Sequence, residues 1–214
     1  MDEITAIKLQ KRNHQRVNIY LNDEFAFGLA RIVASWLQVG QKISEEKIAA
    51  LLAEDEIECA YQRALKLFDY RDRSEREVRQ KLADHDIDNG TIEAVIQRLT
   101  KGEIINDKRF AEQWIANRTE FRPRSQRALR YELKQKGVSE GIISNALGMV
   151  DDEKACYDAA HKQWRKYKGL EWSEFRKRMV AFLARRGFRY QIANQTTERI
   201  FEELKLTNDV VITD

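Results

Sequence analysis

Apolar positions along the chain follow two rhythms. In the first 30 residues they alternate: Ile4, Ala6 and Lys8 on one segment, Val17, Ile19 and Leu21 on the next, around the polar stretch 11–15. Period-two alternation predicts two short strands. Asn22-Asp23-Glu24 reads as a tight turn into Phe25-Ala26-Phe27, giving a small antiparallel sheet of two or three strands. Such a sheet is too small to be stable alone and must lean on a helix. Ile32, Val33, Trp36 and Leu37 fall at helical spacing and predict a helix over 29–37, with Gly40 just past its end. Ser44, followed by Glu45 and Glu46, predicts the start of another helix, acidic in its first turn, running through Ile48, Leu51 and Leu52 toward Tyr61.

Beyond that point the period is helical throughout, and it repeats. Val78, Leu82 and Ile87 are matched by Leu129, Leu133 and Val138, then by Met179, Leu183 and Phe188. The shifts are 51 and 50 residues, and the internal spacing of four then five is kept each time. Ser74 with Glu77 reads as a capping box opening the first of these helices. At the helix ends stand Asp86-Ile87, Gly137-Val138 and Gly187-Phe188. A left-handed residue followed by an apolar one that folds back is the Schellman pattern, and Asp86 fills the glycine position less comfortably. Each copy has an aromatic-rich first helix (61–69, 107–118, 153–167) and a third helix (91–99, 139–147, 190–204). Pro123, the only proline, falls between two helices.

The predicted fold is mainly α: three tandem three-helix repeats stacked into an elongated curved body, behind a small α+β module. Expected boundaries are 1–57 for the module, 58–106, 107–152 and 153–206 for the repeats, and 207–214 for a flexible tail.

Composition narrows the function. The chain has 214 residues, 43% hydrophobic and 34% charged, a balance that folds rather than stays disordered. No apolar run approaches the roughly 18 residues of a membrane span. Met1-Asp2-Glu3-Ile4 has neither the basic start nor the apolar core of a signal peptide, so a cytoplasmic protein is expected. Cys59 and Cys156, far apart, read as buried small hydrophobes in a reducing compartment. The net charge of +3 hides an asymmetry: residues 1–60 hold 7 Lys and Arg against 10 Asp and Glu, while 109–150 hold 8 against 4 and 151–205 hold 13 against 9. A basic C-terminal part suits an acidic partner or nucleic acid, and equally a solvated basic face.

Catalytic and metal-binding patterns are not found. His14, His85 and His161 are scattered. The acidic stretch Asp84–Gly90 resembles a calcium loop, but its glycine comes one residue late and Val95 stands where a bidentate Glu is needed. Asp151-Asp152-Glu153 reads as helix N-terminal dipole partners. What remains is cationic: Arg71 and Arg73 (with Arg76 and Arg79) in the first repeat; Arg118, Arg122, Arg124, Arg127, Arg130, Lys134 and Lys136 in the second; Arg176, Arg178, Arg185 and Arg186 (with Lys177 and Arg189) in the third. Arginine's planar fork suits phosphate or carboxylate. Glu75, Glu77 and Glu132 can neutralise part of this row through i,i+3 and i,i+4 pairs.

These motifs resemble the RecX regulatory protein family. The likeness is carried by Tyr70-Arg71-x-Arg73-Ser74-Glu75-x-Glu77-Val78 with Leu82, by Ile105-Asn106-Asp107-x-Arg109-Phe110-Ala111 and Arg118, by Glu132-Leu133-Lys134-Gln135-Lys136-Gly137-Val138, and by Leu183-x-Arg185-Arg186-Gly187-Phe188. Arg16–Leu21 and Glu24–Leu29 are similar to members with an added front module. The family often has glycine near Ser125-Gln126 and at the position of Asp86; this chain has neither. The resemblance implies three three-helix repeats in a cytoplasmic protein that is not an enzyme; separately, no cofactor and a monomeric state are expected. The resemblance also implies binding to the RecA recombinase filament on single-stranded DNA, lying along its groove. Filament extension, ATPase, strand exchange and coprotease activity would be restrained, so that recombination, repair and the SOS response are modulated. The basic residues are candidate contacts to RecA, or to single- or double-stranded DNA. A second reading is a helical repeat protein that binds nucleic acid directly.

Overall fold

A computed structural model describes residues 1–210, with side chains as far as residue 205. Four strands, β1 (Asp2–Leu9), β2 (Arg16–Leu21), β3 (Glu24–Ala30) and β4 (Lys42–Ile43), form an antiparallel sheet in the order β3-β2-β1-β4. The β2–β3 turn places Asn22 and Asp23 at φ 49° and 67°, the left-handed pair that two-residue hairpins use. Alternation buries Ile4, Val17, Ile19 and Leu29 on one face.

The helix predicted over 29–37 does not form. Val17 pairs with Leu29 and Arg16 with Ala30, so β3 consumes the start of that segment. The few residues left are too short to nucleate a helix, and 31–36 is a series of turns. Ile32 and Trp36, expected on the inner face, are exposed, while Val33, Ala34 and Leu37 are buried.

Helix α1 (Glu45–Leu65) starts as expected: the Ser44 hydroxyl accepts from the Lys47 amide at 3.3 Å. Its first part closes the sheet's core through Leu51, and its last turns supply Ala60 and Ala64 to the first repeat. One continuous helix therefore serves both modules. Between the two sets lies Asp55, buried, accepting from the Ala30 amide (2.5 Å) and from Arg16 Nη2 (2.8 Å). That carboxylate satisfies the last amide of β3 and fixes the sheet to the helix.

The first repeat continues with α2 (Glu75–Ala83) and α3 (Asn89–Lys101). The second is α4 (Asp107–Phe121), α5 (Gln126–Gln135) and α6 (Glu140–Leu147). The third is α7 (Asp152–Gln163), a 3₁₀ turn (Trp164–Tyr167), α8 (Trp172–Arg185) and α9 (Tyr190–Val210). The last residues of the expected tail, 211–214, lie outside the described residues. Two compact lobes result, Met1–Ile105 and the chain from Asn106 onward. Each repeat owns a core centred on the repeating residues: Val78 and Leu82, Leu129 and Leu133, Met179 and Leu183 are all fully enclosed.

The caps repeat as well. Ser74 accepts from the Glu77 amide and Ser125 from the Ala128 amide, both hydroxyls sealed from solvent. Ser125 thus does the cap's work at the start of α5. Asp151 caps α7, accepting from the amides of Glu153 and Lys154, while Asp152 reaches back to the Gln126 amide at 2.7 Å and caps α5. Cys156 is buried as expected, but Cys59 is exposed. It sits on the face of α1 that neither core covers, beside Arg16.

All three middle helices end on a left-handed residue, and the second and third close with the Schellman return bond. Asp86, Gly137 and Gly187 have φ of 58°, 83° and 93°. Val138 and Phe188 donate back to the Leu133 and Leu183 carbonyls, at 3.1 and 3.3 Å. Gly187 has a second constraint: a Cβ there would lie 2.6 Å from Ser125 Oγ and 2.7 Å from Ala128 Cβ. This turn of the third repeat is pressed onto the first turn of α5, and the Ser125 amide donates to the Arg186 carbonyl at 3.2 Å.

Urea unfolding separates these contributions. Asp86→Gly relieves an uncomfortable left-handed residue and raises stability by about 0.5–1 kcal/mol. Gly187→Ala costs about 2–4 kcal/mol from backbone strain plus overlap. Gly40 has φ 86° and nothing within 4 Å of the place a methyl would occupy, so Gly40→Ala should lose only about 1 kcal/mol from backbone strain alone, and its difference from Gly187→Ala gives the steric part.

Candidate functional site

The C-terminal lobe gathers cations around one carboxylate. Helix α4 places Trp114 and Arg118 one turn apart on the face toward α5, and α5 presents Glu132 to them. Glu132 Oε2 accepts from Trp114 Nε1 at 2.7 Å and from Arg118 Nε at 2.9 Å, while Oε1 pairs with Arg124 Nη1 at 2.9 Å. The Arg118 guanidinium also lies over the Trp114 ring, 4.5 Å from its centroid, with Lys136 Nζ at 5.2 Å. Pro123, buried between α4 and α5, keeps the connecting loop short and turned inward, so Arg122 and Arg124 flank the start of α5.

The third repeat adds Arg186. Its Nη1 reaches the Pro123 carbonyl at 3.5 Å, and its guanidinium lies 5.0 Å from the Phe182 ring centroid. Burial, followed by repulsion from Arg124, Arg122 and Arg118, holds Arg186 below its ordinary pKa, with Glu132 opposing. Four guanidiniums thus share the field of one carboxylate. Arg124 Nε is buried with no hydrogen-bond partner among the described residues. An excess of fixed, partly desolvated positive charge suits an incoming phosphate or carboxylate.

The remaining candidates divide by partner. Arg71 forms a two-pronged pair with Glu77 (2.9 and 3.0 Å), and Arg73 donates to the Leu67 carbonyl. Arg79 joins Glu75 and Glu93. In the second repeat, Arg130 and Lys134 share Glu140, Arg130 also reaching Ser144. Arg176 donates to Asn194 and Tyr190, and Arg178 pairs with Glu174. Arg122, Arg127 and Arg185 are exposed and form no ion pair among the described residues. All three stand at the join of the second and third repeats: Arg122 before Pro123, Arg127 in the first turn of α5, and Arg185 beside Arg186.

Sequence reasoning named every arginine of this cluster but missed its organiser. The sequence pattern has Glu132 pair along its own helix; instead it reaches back 14 residues to Arg118 and 8 to Arg124. The available signal was the i,i+4 spacing of Trp114 and Arg118, which puts an indole N–H and a guanidinium on one face. Among the described residues, no group of three or more His, Cys, Asp or Glu could hold a metal ion, and no helix is long and apolar enough to cross a membrane.

Comparison with known proteins agrees with this architecture. Four family models match in order: the regulatory protein RecX N-terminal domain over residues 2–44, and the first, second and third RecX three-helix domains over 60–99, 106–147 and 151–196. A "Regulatory protein RecX" from Clostridium tetani is 36% identical over 200 residues, covering 89% of this chain and 91% of its own. One from Clostridium perfringens (strain SM101) is 31% identical, covering 94% and 97%. A crystal structure of regulatory protein RecX superposes with a TM-score of 0.75 at 26% identity, covering 92% of this chain and all of that one. RecX from Lactobacillus salivarius gives 0.58 at 26% identity over 72% of this chain and 99% of its own. With the sheet module, three capped three-helix repeats and relatives matched along nearly their whole length, the chain belongs to the RecX family of regulatory proteins.

Proposed function

We propose that the chain is a non-enzymatic regulator that binds the RecA filament on single-stranded DNA and restrains it. On this reading it acts as a cytoplasmic monomer without a cofactor. It lowers filament extension, ATP hydrolysis, strand exchange and coprotease activity. The observation that carries this reading is the Glu132-centred cluster. Arg118, Arg124 and Arg186 are held there as scaffold, and Arg122, Arg127 and Arg185 stand exposed around them as contacts. Such a surface suits the acidic exterior of a nucleoprotein filament, because arginine's planar fork matches phosphate and carboxylate oxygens. Repeats engaging successive protomers gain from effective concentration, so modest single contacts add up.

A second reading, direct binding of nucleic acid, draws on one specific feature. Phe121 and Tyr131 are exposed, 62% and 67%, on the helices that carry Arg118 and Arg130, and exposed rings beside arginines can stack on bases.

The test is RecA-catalysed ATP hydrolysis on single-stranded DNA with increasing amounts of the chain. Inhibition is expected at or below stoichiometric ratios. The triple variant Arg122→Glu, Arg127→Glu, Arg185→Glu should need at least about tenfold more protein, about 1.4 kcal/mol of binding, with its unfolding midpoint unchanged. Full inhibition by that variant would contradict the assignment. Glu132→Gln should behave the other way, losing about 2–3 kcal/mol of stability because it removes the charge that holds Arg118 and Arg124. Tight binding to naked DNA with a steep salt dependence, equal to that for filaments, would favour the second reading.

A further inference from the structure

A second cationic site lies in the other lobe. An open cleft of about 660 Å³ runs between the β1–β2 loop, the outer face of α1 and the turn after α2. Arg16, Arg63, Lys66 and His85 line it, together with Gln15 and Cys59. The acids around it are already engaged. Asp55 is held by Arg16 (2.8 Å) and the Ala30 amide, Glu58 by Arg98 (2.5 Å) and Gln62 (2.8 Å), and Asp84 by Gln80 and Lys81. Arg63, Lys66 and His85 form no salt bridge among the described residues, although His85 helps to hold the neighbouring Asp84 carboxylate charged, and they come from two separate segments to face one space. Arg63 and Lys66 sit three residues apart at the end of α1, so both reach the same side of the helix.

We propose that this cleft is a binding site for a phosphate monoester. The group is compact and doubly negative, and it can accept at once from a guanidinium, an ammonium and an imidazole N–H. A phosphodiester carries half that charge and would use the cleft less fully. The terminal phosphate could be that of a free small molecule or of a phosphorylated strand end, and the cleft is open enough for either. This site is independent of the filament reading, because it shares no residue with the Glu132 cluster.

Cys59 supplies a local reporter. Its thiol is exposed at the cleft with Arg16 Nη1 2.7 Å away, whereas Cys156 is buried in the third repeat. Burial, then the Asp55 charge, raises the Cys59 pKa, with Arg16 opposing. The experiment follows iodoacetamide labelling of Cys59 in the full chain by mass spectrometry, at constant ionic strength. Inorganic phosphate should slow labelling at least threefold, saturably, relative to chloride. The double variant Arg63→Ala, Lys66→Ala, both exposed and so compatible with folding, should abolish the protection, while Arg122→Glu should keep it. Protection by a 5′-phosphorylated oligonucleotide but not by its unphosphorylated twin would support a strand end as the source; protection by inorganic phosphate alone would support a free ligand. No protection beyond chloride, equal protection in the double variant, or protection only by a polyglutamate peptide would overturn the proposal.

Discussion

The carboxylate of Glu132 is the constraint on which the C-terminal lobe turns. It accepts from an indole and two guanidiniums contributed by α4 and the loop after it, so it fixes both to α5. It is also the counter-charge that lets Arg118, Arg122, Arg124 and Arg186 sit close together. A half-buried group of cations with no acid among them would be driven apart, because repulsion is poorly screened away from water. The third repeat joins this arrangement through Gly187, whose missing side chain lets the α8–α9 turn press on Ser125 and Ala128 and seats Arg186 against the loop. Scaffold and surface charge are therefore parts of one network in this lobe.

The N-terminal lobe uses the same device for a different end. Asp55 accepts from a strand amide and an arginine, and so ties a sheet that could not stand alone to a helix shared with the first repeat. Glu58, just under a full turn further on, is buried against Arg98 of α3. Two enclosed acids on α1 thus face two modules. Their pairing neutralises Arg16 and Arg98 internally, and the cations left for solvent on this side are those at the rim, Arg63 and Lys66 among them.

Much of the fold was legible in the chain. Three copies of a four-then-five apolar spacing placed three middle helices and their buried residues, because that spacing is local and each copy faces its own core. The caps at Ser44 and Ser74 and the left-handed Asp86, Gly137 and Gly187 were legible for the same reason: they satisfy groups within a turn of themselves. What could not be read depends on pairing at a distance. The strand expected at Phe25–Phe27 ran on through Ala30 because β2 was there to pair with it, which removed the start of the helix expected over 29–37. Cys59 lies on the face of α1 that neither core covers, and its fate turned on packing outside the local pattern. Glu132 chose partners on another helix over its own neighbours, so the row of arginines could be listed but not sorted into those that hold the fold and those that face outward.

The division into scaffold and outward-facing arginines is tested most directly by a density map of the chain bound to a RecA filament on single-stranded DNA. Arg122, Arg127 and Arg185 should lie at the filament surface, with Arg118 and Arg124 still on Glu132 behind them. A map in which the join of the second and third repeats faces solvent, while other surfaces make the contacts, would contradict that division.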